Sequence, residues 1–191
     1  QSLLNGCNRG VRNWASYVKN LLDSYGFSYI WSNPTSVHVN SFPVEFKQRV
    51  LDVFKQTWYN DLCLNNSLCT YRTFKESFQY EYYLDILPKM YRIALTRLRL
   101  SSHPLRIETG RYGNNRIDRY LRCCTICNID IEDEYHFILV CEKYTELRHS
   151  YIKPYYYMRP SVHKFNELMQ IQNNKVLKNL GTYIYEDFQL R

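Results

Sequence analysis

The sequence predicts a mainly α-helical chain: a helical domain with a small Cys-Cys-His-Cys zinc-finger module and a few short extended segments. Three observations lead there. Apolar residues recur at helical spacing in window after window. Prolines stand where helices would begin. One window alone packs cysteine and histidine together. With 191 residues, 45% of them hydrophobic and 23% charged, the chain can bury a core and is not a disordered tail.

Taken in order, Val11, Trp14, Val18, Leu21, Leu22 and Tyr25 form a helical stripe that stops at Gly26. Phe27 to Trp31 reads as a short extended piece. A long aromatic stripe (Phe42, Phe46, Val50, Val53, Phe54, Trp58, Leu62) predicts a second helix from Ser41-Phe42-Pro43 to the break at Asn65-Asn66-Ser67. Thr70 would cap a third helix running through Tyr80. Pro88 opens a helix to about Leu100, with Tyr91, Leu95 and Leu98 inward and Lys89, Arg92 and Arg99 sharing the opposite face. Pro104 to Glu108 reads as extended, and Gly110 to Asn115 as a turn. Glu142 to Ile152, Ser161 to Ile171 and Lys175 to Leu190 read as helices. The domain reading is a helical N-terminal region, 1–85, of unassigned role. Residues 86–191 then hold a basic arm, the metal module (about 120–150) and the C-terminal helices.

The net charge of +7 is concentrated. Residues 1–88 carry 8 basic and 7 acidic side chains, and residues 123–191 carry 8 and 9. Between them, Lys89, Arg92, Arg97, Arg99, Arg106, Arg111, Arg116, Arg119 and Arg122 face only Glu108 and Asp118. Such a window attracts polyanions, phosphate backbones above all. A solvated helix face with a charged loop is the plainer account of the same pattern. Seven cysteines, an odd number with Cys123 and Cys124 adjacent, point to reduced thiols and an intracellular setting, cytoplasmic or nuclear. Apolar runs fall far short of the roughly 20 residues that span a bilayer. Beginning with Gln1, the chain reads as a segment or processed product.

The chemistry sits in Cys124-x2-Cys127-x8-His136-x4-Cys141. Two cysteines separated by two residues reach one metal from a tight turn, and the later histidine and cysteine supply the other two ligands. Four such ligands without an open position describe a structural Zn2+ site, one per chain. Cys123 competes with Cys124 for the first position. Buried thiols with an unrelated histidine would also fit the composition. Cys7, Cys63 and Cys69 read as ordinary buried thiols, and His149 and His163 as surface or capping residues. The run Glu132-Asp133-Glu134 reads as outer support for the histidine or as helix-terminal charge. No deaminase-type His-x-Glu precedes a Cys-x-x-Cys, no Gly-rich phosphate loop or nucleophile elbow occurs, and no catalytic residue is assigned. Nineteen tyrosines include Tyr155-Tyr156-Tyr157, suited either to base stacking or to a core with hydroxyls at its rim.

Arg99-Leu-Ser-Ser-His103-Pro-Leu105, then Cys124-Thr-Ile-Cys127, then Glu132-Asp-Glu-Tyr-His136-Phe-Ile-Leu-Val-Cys141, closing with Arg148, resembles the zinc-binding region of non-LTR retrotransposon proteins, downstream of their reverse transcriptase domain. The resemblance covers about residues 90 to 150. It implies a nucleic-acid-binding accessory module, with Cys124, Cys127, His136 and Cys141 as ligands and an upstream polymerase domain as partner. Glu142 stands where that family often has proline, and no Asp-Asp pair occurs, so the polymerase carboxylates are missing. The first 85 residues resemble no family. Binding of RNA or DNA is therefore expected through Arg92, Arg97, Arg99, Arg106, Arg111, Arg116, Arg119 and Arg122. The alternative is a zinc-stabilised helical module for protein–protein contacts.

Overall fold

A computed structural model describes residues 13–113 and 116–191. The chain divides into two compact units, 1–60 and 61–191. Contacts thus place 61–85 with the C-terminal unit, whereas the sequence reading put that boundary at 85.

In the first unit, α1 (Trp14–Ser24) starts at a capping box: Asn13 accepts the Ser16 N–H, and the Ser16 hydroxyl accepts the Asn13 N–H. Gly26, at φ 81°, ends it in the left-handed region, and the Phe27 N–H returns to the Leu22 carbonyl at 2.8 Å. Val11 and Cys7 lie outside the described residues. The expected extended piece at 27–31 is instead a helical turn, α2 (Ser28–Ser32). The Gly26 reversal turns Phe27 inward, where its ring meets Phe42 and Phe46 at 5.5 and 5.6 Å, and the chain coils from there. Helix α3 (Phe42–Leu64) forms as its stripe predicts, and its last residues, 61–64, belong to the second unit. Most of it is exposed and only Leu62 is buried. Cys63 is exposed where a buried thiol was expected, with Cys69 beyond it half-buried.

The second unit contains the main core. The third predicted helix is short: α4 (Cys69–Phe74) stops where Phe74 is buried and its carbonyl accepts Gln170 Nε2. A turn, α5 (Tyr83–Ile86), leads to α6 (Lys89–Arg99), which buries Ala94, Leu95 and Leu98. The predicted extended stretch 104–108 is also a helical turn, α7 (Arg106–Thr109). Leu105 and Ile107 anchor in the core, and Glu132 accepts the Arg106 N–H. Extended pairing among the described residues is one isolated antiparallel bridge, Cys123 with Ile131. Asn114 and Asn115 of the expected 110–115 turn lie outside the described residues.

Beyond the cysteine cluster come α8 (Thr145–Tyr151), α9 (Pro154–Tyr157), α10 (Val162–Met169) and α11 (Asn174–Leu190). Helix α11 is the spine. Asn173 caps it by accepting the Lys175 and Val176 N–H groups. Val176, Leu177, Leu180, Tyr183 and Ile184 follow one another on its buried face against α6 and α8. Gly181 permits this close approach: a Cβ there would lie 3.0 Å from Tyr91 Cβ and 3.2 Å from a Leu87 methyl. No described helix is long and apolar enough to cross a membrane.

Two predictions follow from this packing. Gly181→Val should lower stability by about 1–3 kcal/mol through overpacking, read as a lower denaturant midpoint at unchanged slope. Asp187 is wholly buried on α11, and burial pushes its carboxyl from 3.8 to about 7 against the pull of nearby Tyr183 and Arg148. The folded state then binds the proton more tightly, so this group costs stability as pH rises from about 4 to 7. Asp187→Asn should therefore gain stability over the wild type at pH 8 and little at pH 4, by chemical denaturation at both pH values.

Candidate metal centre

The first pair of ligands rides on a turn. The Cys124 N–H bonds the Asp130 carbonyl at 2.8 Å, and the Glu132 N–H bonds the Arg122 carbonyl at 2.9 Å. These bonds close a small ribbon around residues 124–130. Asn128, at φ 56°, turns the chain inside it; asparagine tolerates the left-handed region better than most side chains. Its N–H caps the Cys124 carbonyl at 3.0 Å.

The second pair rides on a different device. His136–Val140 is a π turn in which the Cys141 N–H reaches back five residues to the His136 carbonyl at 2.8 Å. The wide turn explains the four-residue gap between these ligands, because it returns both to one side. Asp133 starts the turn by accepting the His136 N–H at 2.8 Å.

Together these place one ligand atom from each of Cys124, Cys127, His136 and Cys141 within 4.8 Å of all the others. Cys124 Sγ and Cys141 Sγ are 3.9 Å apart, and Cys127 Sγ is 3.3 Å from His136 Nε2. Ligands around a tetrahedral ion at 2.0–2.3 Å lie about 3.6–3.8 Å from one another, so the cluster has the size to hold a metal ion. Cys123 is exposed, and its Sγ lies 3.9 Å from the Tyr120 carbonyl, outside the cluster.

The electrostatics fit a cation. Burial pushes the Cys124 thiol up and the Cys141 thiol up to about 12, and it lowers the His136 imidazole. Buried thiolates need a positive charge beside them, whereas a neutral imidazole already offers its lone pair. The amides of Cys127 and Ile126 favour the Cys124 thiolate, and that of Lys143 favours Cys141.

The acidic run has three separate jobs, and none is a bond to the histidine ring, whose Nδ1 is buried without an acceptor. Asp133 caps the π turn. Glu132 is buried with Oε1 3.8 Å from Cys124 Sγ; it pairs with Arg191 and accepts the Arg106 N–H at 2.8 Å. Glu134, also buried, accepts from Thr70 (2.7 Å) and Ser101 (3.0 Å), and its Oε1 lies 2.9 Å from His103 Nε2. Burial opposes its ionisation, but the bonds from His103 and Thr70 prevail and hold its carboxyl below the usual range. The Ser101-Ser-His103 stretch, with Ser101 at φ 52°, is thus a clasp onto the module. Arg148 is the functional residue that charge counting missed. Buried on α8, it donates to the Ile138 carbonyl at 2.7 Å and the Cys141 carbonyl at 2.6 Å, closing the π turn from beyond its end.

The predicted basic arm splits in two. Arg99 is buried: it donates to the Met169 carbonyl, pairs with Glu81 at 2.8 Å and lies 4.8 Å from the Phe74 ring centre. Arg122 is buried too, donating to the Ile117 and Ile107 carbonyls at 2.9 and 2.8 Å. Both guanidiniums are committed to partners inside the fold, a correction to the exposed basic arm expected of Arg99 and Arg122 and to the shared basic face expected of Lys89, Arg92 and Arg99. Arg92 is half-buried on the Leu84 carbonyl, Arg106 is half-buried, and Arg111 pairs with Glu108 at 2.9 Å. Arg97, Arg116 and Arg119 are exposed, as is Lys89, with no ion pair among the described residues. The tyrosine triplet also divides. Tyr156 is buried, Tyr157 stacks on His149 at 5.0 Å, and Tyr155 is exposed beneath the Lys164 ammonium.

No family model, curated protein or solved structure matches the chain.

Removing the clasp on the π turn should be costly. Arg148→Ala leaves two buried carbonyls unpaired and should destabilise the protein by roughly 2–4 kcal/mol. Arg148→Lys should recover only part of this in a denaturant titration, because one ammonium lacks the planar fork that serves both carbonyls.

Proposed function

We propose that the chain is a non-catalytic nucleic-acid-binding module whose fold is stapled by one structural zinc ion, of the kind its sequence resembles in non-LTR retrotransposon proteins. Three sulfurs and one imidazole are the donor set that zinc favours, and three thiolates with a divalent ion leave the centre at net −1. Bound zinc would fix the 124–127 turn to the π turn and contribute an apparent 10–16 kcal/mol or so to folding this region. Four protein ligands leave no position for an activated water, so the metal's role here is structural.

The observation that carries the binding reading is the split among the arginines. Arg99, Arg122 and Arg148 are consumed inside the fold, while Lys89, Arg97, Arg116 and Arg119 remain exposed without a carboxylate partner among the described residues. Lys89 and Arg97 lie on α6, and Arg116 and Arg119 on the segment leading into the metal turn. Contacts of this type are made to phosphate, which gives weak sequence preference and strong salt dependence.

The full chain should carry about one zinc by elemental analysis, and Cys127→Ser should lose it. Engaging three or four phosphates gives a slope near −3 for log affinity against log salt on duplex DNA. Arg116→Glu with Arg119→Glu should flatten that slope by about 2 and leave zinc content unchanged. Salt-independent binding, or none, would instead favour a protein-docking module.

A further inference from the structure

The segment leading into the metal turn presents an aromatic ring outward. Tyr120 is 82% exposed, and among the described residues it has no ring contact and no hydrogen bond through its hydroxyl. Leu121 beside it is 66% exposed. Such exposure is ordinary on a loose loop, but this loop is fastened at both ends. The Ile117 N–H bonds the Gly110 carbonyl at 3.0 Å, and buried Arg122 reaches back to the Ile117 carbonyl at 2.9 Å. Between these anchors, Arg119–Leu121 forms a tight 3-10 turn, with the Leu121 N–H on the Asp118 carbonyl. Tyr120 is therefore held at the apex, with exposed Arg116 and Arg119 beside it in the chain, neither in an ion pair among the described residues. Asp118 stands between them in the chain, and Asp133 lies within electrostatic reach of Arg119.

Resting on the nucleic-acid reading above, we infer that this loop selects single-stranded nucleic acid, with one base stacking on Tyr120 and adjacent phosphates held by Arg116 and Arg119. The chemistry favours that occupant over a duplex. An exposed π face beside two cations is satisfied by a flat base attached to a phosphate chain, and only an unpaired strand can offer that face. Duplex bases are already stacked on each other, leaving their phosphates to the arginines and nothing to the ring. Because the loop is pinned before binding, little ordering cost is charged to the contact.

The test uses the full metal-loaded chain and two fluorescein-labelled probes, an oligothymidine strand and a duplex of equal length, followed by anisotropy. The single strand should bind about tenfold or more tighter. Tyr120→Ala should weaken it about 5- to 150-fold while leaving duplex affinity and zinc content unchanged, and Tyr120→Trp should retain it. Arg116→Glu with Arg119→Glu should weaken both probes. If Tyr120→Ala binds the strand as the wild type does, or the duplex is preferred, the stacking inference is overturned and the nucleic-acid reading stands. If neither probe binds, both fall together.

Discussion

Two pieces of backbone that share no regular secondary structure, a five-residue turn and a π turn, are brought to one point by four side chains. That convergence governs the C-terminal unit. Its apolar shell is substantial, with Phe137, Ile138 and Leu139 buried between the two ligands of the π turn. Yet apolar contact is non-directional and does not choose where three sulfurs point. A cation held by all four side chains would, since thiolates this close repel one another unless a positive charge lies between them. The surrounding polar contacts serve that geometry: Asp133 and Arg148 close the π turn from its two ends, and Glu134 clasps the Ser101–His103 stretch to it.

Arginine plays opposite parts within a short span of chain. At 99, 122 and 148 the guanidinium is a multi-donor cross-link that satisfies carbonyls where the backbone lacks regular partners, a role suited to its planar fork. At 97, 116 and 119 it is a solvated charge. Burial therefore decides which arginines remain available to a polyanion, and the net charge of the window overstates the count.

Much of this was legible in the sequence. The stripes of α1, α3, α6, α10 and α11 and the four clustered ligands were readable because helical periodicity and ligand spacing are local properties. Extended readings at 27–31 and 104–108 failed for a different reason. Phe27, Leu105 and Ile107 anchor in cores assembled from distant residues, and the chain coils between such anchors. Helix α4 ends six residues early because Gln170, far along the chain, takes the Phe74 carbonyl. Arg99 and Arg122 look identical to Arg97 and Arg119 in sequence; only the carbonyls and rings around them tell the two kinds apart. Glu132, Asp133 and Glu134 likewise carry three unrelated roles that a run of like charges does not reveal.

The central claim, that Cys124, Cys127, His136 and Cys141 grip one ion together, is tested most directly by replacing the metal with Co2+ and recording the visible spectrum. A tetrahedral site with three thiolates and one imidazole predicts intense d–d absorption with sulfur-to-cobalt charge transfer at one equivalent, both lost in Cys141→Ser. Weak bands of octahedral cobalt, or no uptake by the reduced protein, would contradict the account.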